Sequence, residues 1–175
     1  MSAAQFAADT VRYALGLLLA CAALGKGVKL ASFRENLHES FRVPAAAAIW
    51  LAPFIVLTEA VLAVATLAAV ESARPALAAA LLLFCIFSAV LVHRYLQEGV
   101  VRCACFGESV RAVSAFDLLR NLLILAAMAA WLLCAPAAGT TALRPLAAGT
   151  AVLCTMLLIG LHDIVSILRA EELAP

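Results

Sequence analysis

The chain has 175 residues, 66% of them hydrophobic and only 13% charged, with a mean hydropathy of +1.08. Soluble domains are about half apolar and a quarter charged, so this composition excludes a soluble globular protein and points to an integral membrane protein sitting in a lipid bilayer. A net charge of +1 without a basic or acidic tail gives nucleic acid nothing to bind, and the length suits one domain, residues 1–175.

The first apolar run extends from Val11 to Leu30. Leu18-Leu19-Ala20-Cys21 has the outline of a lipoprotein cleavage box. However, Arg12 is the only basic residue before it and the apolar pattern continues past Cys21, so an uncleaved transmembrane helix is expected. Lys26 and Lys29 stand at the far end of this run. Both can snorkel to the headgroups; alternatively Lys26, the deeper of the two, pairs with a buried acid.

Residues 31–43 make the first connection. Phe33, Leu37 and Phe41 recur at helical spacing, with Arg34, Glu35, Asn36, His38, Glu39 and Arg42 on the other face. This pattern predicts a short amphipathic helix lying in the interface and ended by Pro44. His38 is either simply solvated or within reach of a loop cysteine. The second run, Ala45 to Val70, is long enough to span a bilayer with some tilt, and Pro53 is expected to kink it. Glu59 stands near its middle, where an acid is costly and calls for a partner. It is either protonated and hydrogen-bonded across helices, or serves as a proton relay or ion-pair partner of Lys26.

Glu71 to Arg74 read as a turn, with Pro75 opening a third helix that reaches Tyr95. A polar loop follows from Leu96 to Val113. Ser114-Ala115-Phe116-Asp117 then reads as a capping box for a fourth helix, with Arg120 and Asn121 near that loop and the end at Cys134. A fifth run goes from Arg144-Pro145 to Leu168, with His162 and Asp163 near its end. The short connections favour an all-α polytopic bundle of about five antiparallel spans, a four-helix core plus a fifth helix at residues 145–168.

Chemistry concentrates in the loop, at Arg102-Cys103-Ala104-Cys105-Phe106-Gly107. Cys103 and Cys105 are the only closely spaced pair among six cysteines; Cys21, Cys85, Cys134 and Cys154 lie in apolar runs and read as small packing residues. Two thiols one residue apart can bind a soft metal or cycle between dithiol and disulfide, and the tight ring such a disulfide closes is easily reduced. Arg102 favours the reactive thiolate, and Gly107 permits a turn. The spacing is neither that of a secreted disulfide framework nor that of a paired zinc motif.

Five spans put nine basic residues on the side of this loop and three on the other. The positive-inside rule then favours a cytoplasmic loop, whereas a persistent disulfide favours the oxidising outside. The two arguments conflict, and we take the outward orientation.

Several features together resemble the methylamine utilisation protein MauE family, relatives of DoxX-like membrane proteins. They are Leu24-Gly25-Lys26, Phe33, Pro44, Glu59, Cys103-Ala104-Cys105-Phe106-Gly107 and Leu119-Arg120-Asn121, over residues 10–135. The usual pattern of such proteins looks like C-G-C-F-G, so Ala104 departs from it. The resemblance implies an inner-membrane protein linked to maturation or processing of the exported, disulfide-rich small subunit of methylamine dehydrogenase, beside a thioredoxin-like partner of the MauD type. MauE-like proteins also occur outside methylamine metabolism, so the resemblance leaves the pathway open.

The expected function is therefore thiol–disulfide exchange. Cys103 and Cys105 are the catalytic pair, with Arg102, Phe106, Gly107, Arg120, Glu59 and Lys26 in support. A membrane quinone enters as terminal electron acceptor only by analogy with other four-helix membrane thiol oxidases. The alternatives are a non-enzymatic assembly scaffold docking through Phe33, Leu37 and Phe41, and a transporter or Cu(I)-handling protein.

Overall fold

The computed structural model describes residues 3–68, 70–98, 115–134 and 144–160. The loop with Cys103 and Cys105, together with Arg102, Phe106, Gly107, Ser114, His162 and Asp163, lies outside the described residues. Within them the elements are α1 (Ala3–Val28), α2 (Leu30–Glu39), α3 (Ala45–Ala68), α4 (Val70–Glu98), α5 (Ala115–Cys134) and α6 (Arg144–Ile159). Four of them, α1, α3, α4 and α5, are long and apolar enough to cross a membrane, and α6 is a shorter apolar helix. The molecule is an all-helical, polytopic membrane bundle.

Helix α3 shows how such a chain sorts its faces. Trp50, Phe54, Leu57, Val61 and Val64 recur every three or four residues and are all exposed. Ala48, Ala52, Ile55, Glu59, Leu62, Ala63 and Thr66 form the buried face. Both faces are largely apolar because lipid replaces water outside. The inward face is distinguished by small residues, which let helices approach closely, and by its few polar groups.

Contacts fix the topology. Leu62 and Ala63 of α3 share a cluster with Ala73, Ala76, Leu77 and Ala80, the early part of α4. Ala52 and Ile55 meet the later Phe87. The two helices are therefore antiparallel. By the same reasoning α4 and α5 are antiparallel: the Arg74 guanidinium donates to the Leu132 carbonyl at one end, and Leu91 packs on Leu118 at the other. Helix α1 runs against α3, with Gly16 beside Thr66 and Leu67, and Gly27 beside Val56. The Trp131 indole N–H of α5 donates to the Ala8 carbonyl of α1 at 2.9 Å. Helix α6 buries Ala147, Ala151 and Thr155, and the Thr155 hydroxyl lies 3.3 Å from the Ala14 carbonyl.

Several expectations are corrected. Helix α1 starts at Ala3, well before Val11, and Cys21 lies inside it without a break. Helix α4 starts at Val70, so residues 71–74 are helical rather than a turn, and Pro75 sits inside the helix. Glu71 in the first turn suits the positive end of the helix dipole, and Pro75 gives up only one backbone bond, towards the Glu71 carbonyl. Cys85, Cys134 and Cys154 are exposed rather than packed between the described helices.

The short helix α2 is amphipathic as expected, but its apolar face looks into the protein. Phe33 and Leu37 are buried against Ala48, Ala52 and Ile55 of α3, with Phe41 and Phe87 at the margin. Only Lys29 separates α1 from α2, so the two flank α3 in succession. This burial withdraws Phe33 and Leu37 from any docking surface. Beyond the end of α2 the chain turns at a left-handed Arg42 (φ 57°); there the Val43 N–H returns to the Leu37 carbonyl and a His38 ring nitrogen donates to the Val43 carbonyl. Pro44 then supplies the carbonyl for the first turn of α3.

Candidate functional site: a buried ion pair between α1 and α3

A charged group at membrane depth is tolerated when it faces the bundle interior and meets an opposite charge. Lys26 near the end of α1 and Glu59 in the middle of α3 do this. They are 4% and 3% exposed, and the Lys26 ammonium donates to Glu59 Oε1. Lys26 therefore does not snorkel outwards. The ring centroids of Phe33 and Phe87 lie 5.5 and 5.7 Å from its nitrogen, so two aromatic faces from α2 and α4 share the positive charge. Phe87 in turn packs against Phe41, with ring centroids 5.0 Å apart and the rings tilted by 44°, which ties the site to the segment after α2.

The pair borders a cavity of about 20 Å³ formed also by Ile55 of α3, Leu83, Phe84, Phe87 and Ser88 of α4, and Asn121 of α5. Four helices thus contribute to one site. Glu59 Oε2 and Ser88 Oγ are both shielded from the surface and have no hydrogen-bond partner among the described residues.

On α5, just before Asn121, Asp117 and Arg120 form a second buried ion pair, with 3.5 Å between Oδ1 and Nη2. Arg120 was expected near the cysteine loop, available to an anion or thiolate; that loop lies outside the described residues, and within them the Arg120 guanidinium meets the carboxylate of its own helix. Asn121 is buried as well. At the other end of α1, Arg12 is 3% exposed and donates to the Thr66 carbonyl at 2.9 Å, with its guanidinium stacked 4.4 Å from the Tyr13 ring centroid.

Of the expected site residues, the structure thus brings Lys26 and Glu59 together and puts Arg120 near the same α5 face as Asn121. Arg12, Ser88 and Phe87 were not singled out by sequence as interior polar or aromatic contacts. Arg12 offered one signal, a base placed where the apolar run already has helical character. Ser88 offered only a hydroxyl within a long apolar stretch.

The apolar spans, their interior charges and the antiparallel packing define a multi-pass α-helical membrane protein. The family model described as "Methylamine utilisation protein MauE" matches residues 4–135, and the chain belongs to that family of membrane proteins associated with methylamine utilisation. The match takes in α1 to α5 and leaves α6 outside. No curated protein and no solved structure matches the chain.

Proposed function

We propose that this inner-membrane protein takes part in maturing an exported, disulfide-containing protein, through thiol–disulfide exchange between Cys103–Cys105 and a thioredoxin-like partner. One observation carries the reading: the family match from residue 4 to 135 takes in Arg102-Cys103-Ala104-Cys105-Phe106-Gly107, the one segment with paired thiols.

In the oxidising direction, a partner thiolate attacks one sulfur of the Cys103–Cys105 disulfide. The other sulfur leaves as a thiolate and a mixed disulfide forms. The partner's second thiolate then attacks its own half of the mixed disulfide. The partner ends oxidised, and Cys103 and Cys105 end as a dithiol carrying the two electrons. The reducing direction runs the same steps backwards. Arg102 beside Cys103 favours the thiolate there, which makes Cys103 the attacking thiol in the reducing direction and the better leaving group in the oxidising one.

The outward orientation of the pair rests on the oxidising conditions that a persistent disulfide needs. The basic-residue count opposes it: setting aside Lys26, Arg94 and Arg120, held by Glu59, the Ser40 carbonyl and Asp117, together with Arg12 and Arg74, held by the Thr66 and Leu132 carbonyls, still leaves most basic residues on the side of the loop. The cavity beside Lys26 and Glu59 has the volume of a water molecule and does not fit a quinone ring, so no step is routed through a quinone there.

The test is a trapping experiment. Purified protein in lipid nanodiscs, with Cys21, Cys85, Cys134 and Cys154 changed to Ala, is oxidised. It is then mixed with a reduced thioredoxin that lacks its resolving cysteine. The reading expects a mixed disulfide that Cys103→Ser abolishes. Failure to close a Cys103–Cys105 disulfide, or trapping that survives loss of both cysteines, overturns it.

A further inference from the structure

Hydroxyl groups in apolar helices usually hide by donating to the carbonyl one turn back. Thr58, Thr66, Thr150 and Thr155 all do so here, to Phe54, Leu62, Leu146 and Ala151. Ser88 of α4 does not: its Oγ is buried without a partner among the described residues and borders the cavity at Lys26 and Glu59. Glu59 Oε2 has the same status on the α3 wall of that cavity, although its sister oxygen is held by Lys26. Asn121 of α5 adds a third polar wall.

A buried polar group left unpaired costs about 1–3 kcal/mol, and more when charged, so two of them facing one cavity is an expensive arrangement unless something joins them. A buried water needs about 10–15 Å³ of such space and two to four polar partners. The cavity provides about 20 Å³ and the three side chains. Leu83, Phe84, Phe87 and Ile55 also line it, and a volume of about 20 Å³ leaves no room for a larger organic ligand.

We propose that this cavity is a binding site for water: one molecule accepts the Ser88 hydroxyl or donates to it, donates to Glu59 Oε2, and is lined by Asn121. The Lys26–Glu59 pair is then a hydrated ion pair in the middle of the bundle, able to exchange protons with bound water, rather than a dry staple. This site stands on the geometry of α1, α3, α4 and α5 alone and does not rest on the thiol reading.

Composition makes the test unusually clean, because Lys26 and Lys29 are the only lysines in the chain. In protein labelled with 15N-lysine and reconstituted in lipid bilayers, Lys29→Arg leaves Lys26 as the single side-chain Nζ signal. Magnetisation transfer from water to that signal is then measured by solid-state NMR. The proposal expects ready transfer to buried Lys26. In Ser88→Val, which fills the cavity and removes the hydroxyl, transfer falls several-fold while the resonance remains. Absence of transfer in the parent sample overturns the proposal without recourse to any cavity variant. So does transfer that Ser88→Val leaves unchanged.

Discussion

Among the described residues each buried charge is answered within the helices. Lys26 has Glu59 and two aromatic faces, Arg120 has Asp117, and Arg12 has a backbone carbonyl and the Tyr13 ring. Taking charges out of a polar environment is costly, and their mutual attraction only repays that cost when both are present. Glu59→Gln is therefore expected to destabilise the protein by about 3–5 kcal/mol by leaving Lys26 without its counter-charge, whereas Lys26→Met with Glu59→Gln recovers most of the loss. Denaturant unfolding of the detergent-solubilised variants measures both. A double variant no better than the single one contradicts the pairing as the cause. The pair was legible in sequence because an acid and a base deep in apolar runs each demand a partner. Arg12 was not, because a base near the start of an apolar run reads equally well as a flank.

At the scale of elements, close approach of small residues sets the packing. A methyl group added at Gly16 of α1 would lie 2.7 Å from the Leu67 side chain of α3. Gly16→Ala is thus expected to push the two helices apart, at about 1–3 kcal/mol, seen as a lower unfolding midpoint in detergent. Gly149, where the same methyl meets nothing within 4 Å, provides the control: Gly149→Ala should leave the midpoint unchanged or raise it. The periodicity of Phe33, Leu37 and Phe41 showed that α2 has an apolar face. It did not show what covers that face, since lipid and protein interiors demand the same residues. Contacts with Ala48, Ala52 and Ile55 decide for protein. Pro75 misled for a related reason: proline favours a helix start, but a membrane helix absorbs the one bond it loses.

For the whole molecule, the up-and-down arrangement brings the end of α2 beside the end of α4, where the Arg94 side chain donates to the Ser40 carbonyl at 3.0 Å. Residues 99–114, with the cysteine pair, connect that end of α4 to the start of α5. The bundle class and its four long spans were legible from hydropathy and from loops too short for anything but antiparallel neighbours. Sidedness was not, because the count of basic residues mixes loop charges with charges such as Lys26 and Arg120 that serve the interior. Labelling of intact cells tests most directly the proposal that Cys103 and Cys105 form an outward-facing redox pair. The protein retains these two cysteines, has the other four changed to Ala, and is exposed to a membrane-impermeant thiol reagent with and without prior reduction. An outward-facing disulfide gives labelling only after reduction. Labelling that requires permeabilised membranes would contradict it, by placing the thiols in the cytoplasm away from any exported client.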